Sequence, residues 1–471
     1  MKRRILSLGL MMAFLCPPYA QARILYEVID LGTFEGGGES IASSINNSGQ
    51  IVGKAQVSPW GVWRACLFNP DGPIMDLGTL GGQGSVAGCI NDYGIIVGTA
   101  DIDYPWYPRA NACRFVPGGE NISLCPRSKL SGAMAINNYG ETVGIYEAGA
   151  GVWACRFIPY YPYAQGFGSL GGDDSRAESI NDNGQVVGAA VTGSSDTRAC
   201  LFDTDTTPPR INIDLGTLGG LGSHARSINN SGEIVGFADT ASGWMHACLF
   251  DPTGGWDNTD LGTLGGDESR ALSINDAAQI VGWADKTAGS WSRRATLFDR
   301  TGGGNNFDLN DAIDPGSGWT LWHAHSINDN GWIVGSGANP AGSQRAYLLV
   351  PRPVIEATVD IQPDTLNLQS RLPSITCHVE LPAGYDVGDI DVGTIVLEAH
   401  VPAQSHPTEL GDYDGDTIGD LMVKFPASAV RTLLLELGLL GDVALTVSGE
   451  LIDGTLFDGT DVIKVIDKGK S

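Results

Sequence analysis

Four carboxylates at even intervals stand near the C-terminal end of this 471-residue chain: Asp412, Asp414, Asp416 and Asp420, in the stretch DYDGDTIGD. Alternate acids of this kind converge on one hard cation, and the main-chain carbonyl of Ile418 takes an intermediate position, so the stretch points to a structural Ca2+ site. It is not an EF-hand, because Thr417 stands where that loop wants Gly and Val423 where it wants a bidentate Glu. The alternative is a solvated acidic turn. Mutual repulsion among four carboxylates without a counter-ion favours calcium.

Chemistry of other kinds finds little support. There is no G-x-S-x-G elbow, no local Cys/His signature, and no glycine-rich loop opening a helix. His323 and His325 would face one side of a strand and could share a metal, but a third ligand is not evident, and they read as surface or core histidines. A glycosidase would need paired carboxylates. The recurring Asp30, Asp76, Asp214, Asp260 and Asp308 are too regular for such a pair and read as repeated structural acceptors. Aromatic residues recur in loops: Trp60 and Trp63, then Tyr104, Trp106 and Tyr107, then Trp244 and Trp291, with Trp153 opening its own strand. They form either a platform for sugar or protein or a set of lids, each over its own hairpin.

The elements that must position these residues follow from an internal repeat. INNSGQIVG begins at Ile45 and returns at Ile90, Ile136, Ile180, Ile228, Ile274 and Ile327, at intervals of 45, 46, 44, 48, 46 and 53 residues. Each copy is followed by a block such as RACLF (Arg64) or HACLF (His246), and most are preceded by one such as DLGTL (Asp76). Asn-Asn/Asp-x-Gly between apolar runs is a hairpin turn whose Gly takes a left-handed conformation. Four short strands per unit, apolar on both faces, match a propeller blade. The chain opens on a DLG strand at Asp30 and its last copy ends on RAYLL at Arg345, so the first strand can complete the last blade. The alternative is an open solenoid of the same units.

These blocks resemble the HAF family of extracellular repeats, over Tyr26 to about Pro351. The chain departs from that family in carrying Cys where Phe is usual and Ala278 at the turn glycine of the sixth copy. The resemblance implies secretion but no established activity.

Lys2, Arg3 and Arg4, an apolar run from Ile5 to Leu15, and Ala20-Gln21-Ala22 predict a signal peptide over residues 1–22. Lipidation at Cys16 is the weaker alternative, since Leu15 is bulky where a small residue is wanted. No later stretch reaches the ~18 apolar residues of a membrane span, so membrane insertion is not expected. The formal charge is −26, which disfavours nucleic acid and anionic lipid. Five of the cysteines, Cys66, Cys113, Cys155, Cys200 and Cys248, share one repeat position and read as buried thiols, while Cys89, Cys125 and Cys377 have no evident partners.

After Pro351-Arg352-Pro353 the repeat stops. Residues 354–471 alternate as six or seven strands of a β-sandwich, with a short helix after Phe425. VDIQPDTLNL and TVSGELIDGTLFDGTDVIKVI resemble a module appended to many bacterial secreted proteins. The fold expected is all-β: a seven-bladed β-propeller over 23–353, closed by its N-terminal strand, then the sandwich. The function expected is a secreted, non-catalytic binding or scaffold protein recognising an extracellular protein or polysaccharide through its propeller surface. The alternative is a secreted polysaccharide hydrolase with acids in the channel.

Overall fold

The computed structural model describes residues 26–58, 61–103, 109–128, 130–149, 151–158, 161, 163–204, 211–289, 292–352, 354–398 and 400–468. The expected leader over 1–22, Cys16, Trp60, Tyr104, Trp106, Tyr107 and Trp291 lie outside them. The described chain divides into two units, Tyr26–Pro351 and the residues from Arg352 onward.

The first unit is all-β, built of four-stranded antiparallel sheets of the kind that form propeller blades. In copy one the strands run Ser40–Ile45, Ile51–Gln56, Trp63–Phe68 and Met75–Asp76, paired in that order. The sheet of copy seven takes its fourth strand from the chain start, with Tyr26 opposite Pro351 and Asp30 opposite Tyr347. Both faces of a sheet are covered by its neighbours. Val52, Ala65 and Leu77 of copy one pack with Ala87, Ile96 and Phe115 of copy two, and Leu348 of copy seven packs with Ile51 and Phe68 of copy one. A fully buried Ile or Phe contributes roughly 1.5–3 kcal/mol, so these repeated contacts supply the main stabilisation.

Buried serines fasten most sheets to the next. Ser85 Oγ accepts from Ala65 N at 2.9 Å and donates to Gly78 O at 2.6 Å, and Ser175, Ser223 and Ser269 repeat both bonds. Ser40 does the same between the chain's two ends, accepting from Ala346 N at 3.0 Å. The glycine of each IVG block is required by close approach: a Cβ on Gly53 would stand 2.1 Å from the Ile41 carbonyl.

The second unit has a six-stranded sheet and a four-stranded sheet around one core that includes Ile361, Val423, Phe425, Leu445 and Phe457. A helix, Ala427–Glu436, follows Pro426 and buries Val430, Leu433 and Leu434. Proline suits the boundary, since it lacks the N–H that an early helical residue would leave unbonded.

Candidate functional site

Two kinds of residue line the first strands and turns of the repeat. One kind is the same in every copy. The turn asparagines Asn46, Asn91, Asn137, Asn181, Asn229, Asn275 and Asn328 are buried, and each Nδ2 reaches the carbonyl of the next, with Asn328 returning to Asn46 O at 3.0 Å. The following residues form a second cycle in which each backbone N–H meets the next side chain, ending with Asp329 N to Asn47 Oδ1 at 2.9 Å. Together these turns line a cavity of about 200 Å³. The recurring Asp of the DLG block is likewise structural: Asp30, Asp76, Asp214 and Asp260 each accept from the glycine N–H two residues on. Residues used alike by all copies hold the ring together, which leaves no individual role for any one of them.

The other kind breaks the repeat. In the first strand the position before the buried alanine carries Ile41, Val86 and Gly132 in copies one to three, but Arg176, His224, Arg270 and His323 in copies four to seven. The position after it carries Ser43, Gly88 and Met134, then Glu178, Arg226, Leu272 and His325. These residues touch one another across copies. Glu178 is paired with Arg226 at 3.2 Å and Arg176 at 3.8 Å. His224 stacks on Phe237 at 4.9 Å, with the Arg270 guanidinium 4.3 Å from the same ring. Trp283 lies between Arg293 at 4.2 Å and Arg270 at 5.6 Å, and His323 meets it edge-on at 6.1 Å. His323 in turn stacks on His325 at 5.6 Å, whose Nε2 lies 3.1 Å from Ser336 Oγ.

The electrostatics follow from that assembly. Burial, then the charges of Arg226, Arg270 and Arg176, lower His224 to a pKa of about 4. Burial, Arg293 and Arg270 bring His323 to about 4. Burial, His323, Arg226 and Lys54 bring His325 to about 3. All three imidazoles are therefore neutral at neutral pH and able to accept a proton. Asp285, buried beside Arg293, has its carboxyl raised by burial first and by Glu268 and Asp267 next, against the pull of Arg293.

The acidic loop of the second unit is partly as the sequence indicates. Asp412, Asp414 and Asp420 bring carboxylate oxygens within 4.8 Å of one another, as do Asp414, Asp416 and a residue the sequence reading missed, Glu380. Glu380 lies opposite Asp420 on a neighbouring strand, a pairing that local spacing cannot reveal. Its carboxyl is raised by burial and then by Asp416, Asp414 and Asp420. Several carboxylates also serve the loop itself: Asp412 accepts from Gly415 and Thr417, Asp416 from Ile418, and Asp420 from Tyr413.

Of the aromatic residues singled out, Trp63, Trp153 and Trp244 are among the described residues. Trp63 lies in a strand, with Lys54 Nζ 4.8 Å from its ring, while Trp244 is 48% exposed in a hairpin loop. Trp153 caps its own hairpin, its Nε1 donating to Ala148 O at 3.1 Å. All eight described cysteines are free, seven of them buried, and burial raises their thiols.

No family model matches the chain, and no curated protein matches it. Among solved structures it is similar to a protein provisionally named a gluconolactonase, at 10% identity and a TM-score of 0.34, over 70% of this chain and 97% of that one. Two structures of puromycin hydrolase, one of a mutant in complex, share 14% identity with TM-scores of 0.44 and 0.41, over 74% of this chain. The chain spans 60% of puromycin hydrolase. At these identities and scores the likenesses lend this chain neither an activity nor a substrate.

The expectation of a non-catalytic binding or scaffold protein, and with it "no enzyme", is nonetheless corrected. The described first strands bring basic, acidic and neutral imidazole groups into contact, an arrangement able to do acid–base chemistry. The cluster carries no motif because copies four to seven each contribute one or two first-strand positions, joined only across sheets. His323 and His325, read from the sequence as surface or core histidines, are largely buried and lie within this cluster.

Proposed function

We propose that the chain is a secreted hydrolase of acyl esters, built as a seven-bladed β-propeller of the HAF type closed by its N-terminal strand, with a β-sandwich behind it. One observation carries the reaction class: neutral histidines sit among arginines. A glycosidase passes through a positively charged, oxocarbenium-like transition state and calls for paired carboxylates. The first-strand cluster offers Glu178 between Arg176 and Arg226, a setting that opposes positive charge. It favours a transition state that gains negative charge, as when water attacks an acyl carbon.

In this reading His323 or His224 takes a proton from the attacking water, and Arg270, near both rings, stabilises the oxyanion; its collapse breaks the acyl–oxygen bond and the imidazolium returns the proton to the departing alcohol. Glu178 holds Arg176 and Arg226 in place as a positioning residue. The test is turnover on a panel of aryl, acyl-sugar and lactone esters. An activity lost in His323→Ala or His224→Ala, at unchanged melting temperature, supports the reading; no turnover, or turnover indifferent to both changes, sinks it.

We propose also that the acidic loop of the second unit holds Ca2+ through Asp412, Asp414, Asp416 and Asp420 and the carbonyl of Ile418. The convergence of Asp412, Asp414 and Asp420 supports this.

A further inference from the structure

We propose that Arg176 and Arg226, held apart by Glu178, recognise an anionic group on the substrate, a carboxylate or a sulfate ester. The inference deepens the proposed function and rests on the same cluster being the site.

Three observations support it. The cluster gathers Arg176, Arg226, Arg270 and Arg293 with Glu178, Asp239, Asp267, Glu268 and Asp285 around them, and within it Arg176 and Arg226 share the single carboxylate of Glu178. Two guanidiniums on one carboxylate leave a positive charge over at that pair, which attracts an anion. Glu178 is only 10% exposed, whereas the side chains of Arg226 and Arg176 are 38% and 53% exposed, so their donors reach solvent while their bases are fixed. A guanidinium presents five N–H donors in a planar fork that fits two oxygens of a carboxylate or sulfate. Finally, the corresponding positions of copies one to three are Ile41, Val86 and Gly132 and Ser43, Gly88 and Met134, so the fold itself does not require cations there.

The experiment is equilibrium binding to the full chain by titration calorimetry with three oligosaccharides: an oligogalacturonate, a sulfated galactan fragment and a neutral galactan fragment. The inference expects one or both charged ligands to bind and the neutral one not to. The arm that binds identifies carboxylate or sulfate as the group read. The double variant Arg176→Gln/Arg226→Gln should weaken that binding about tenfold or more. Arg176→Lys/Arg226→Lys should recover part of it, which separates lost recognition from lost folding. Neutral and charged ligands binding alike, unchanged affinity in the Gln variant, or no binding of either charged ligand overturns the inference. Binding with no ester turnover would leave it standing and defeat the catalytic reading alone.

Discussion

Asp276 donates its backbone N–H to Oδ1 of Asp329 at 2.8 Å, the one step in the ring of turns where two carboxylates stand side by side. Elsewhere Asn and Asp alternate: Asn138 lies between Asp92 and Asp182, and its Nδ2 reaches both at 3.0 and 3.1 Å. Asn47 likewise bridges Asp92 and Asp329. A strict alternation cannot close on an odd number of copies, so seven turns must leave one like pair. Asp276→Asn should therefore raise stability, on the order of a few tenths of a kcal/mol because both side chains are exposed. The gain should shrink in 1 M salt. Paired melting curves at low and high salt check both parts.

The buried asparagines are a different matter. Asn181 accepts from Asn183 and Gln185 N–H at Oδ1, and its Nδ2 reaches Gln185 Oε1 at 2.7 Å and Asn229 O at 2.9 Å. Asn181→Ala removes the acceptor of the Asn183 and Gln185 N–H groups and one of two donors to Asn229 O, at about 1–3 kcal/mol for a group left unsatisfied. Chemical denaturation should show a loss of that size, while the half-buried neighbour Asp182→Ala costs less.

How much of this was readable in the sequence depends on periodicity. The turn, the IVG strand and the closing strand at Tyr26–Asp30 repeat or complete a repeat, so hydrophobic patterning and turn chemistry expose them. The helix after Pro426 was readable from local composition. The cluster from Arg176 to His325 was not, because it is made of the positions that do not repeat, spread over four copies and joined only when sheets stack. Glu380 escaped for a related reason, since strand pairing rather than spacing sets it beside the acidic loop. Of the five tryptophans read as a surface, Trp63 and Trp244 are among the described residues, Trp63 in a strand and Trp244 exposed in a hairpin loop.

Ala278 replaces the turn glycine of copy six and is held at φ 60°. A Cβ in this left-handed region costs roughly 1–2 kcal/mol, partly offset because glycine is freer in the unfolded chain. Ala278→Gly should thus gain up to about 1 kcal/mol, and Ala278→Val should lose stability. Urea midpoints ordered Gly above Ala above Val are the expected result; Val at or above Ala would show that the turn shifts to relieve the strain.

The acidic loop gives a ligand test. If Ca2+ binds the folded state alone, a concentration 100 times its Kd adds about 2.7 kcal/mol. The melting temperature of the full chain should rise with calcium and fall back with chelator. Asp414→Asn, which removes a carboxylate shared by both acidic groupings, should abolish that difference. Equal curves in calcium and chelator, with a flat titration, would return the stretch to a solvated acidic turn.

Acid should act through the buried histidines. His323 faces Trp283 and His325, under the charges of Arg293 and Arg270, and its pKa of about 4 lies below the 6.5 of a free imidazole. Between those two values the unfolded chain binds a proton that the folded chain does not, so stability falls as pH drops through this window. The contribution is whole above about pH 6.5 and has gone near pH 4. Replacing His323 with Gln should flatten this part of the stability profile relative to the wild type. The same titration should shape catalysis. If His323 is the proton acceptor, ester turnover holds from pH 7 down to about 5 and declines as the imidazole becomes charged near pH 4. His325 lies behind it with a pKa of about 3, so its protonation comes later. A turnover limb near pH 6.5 instead would mean that the acceptor is an unperturbed histidine, and the assignment to this cluster would fail.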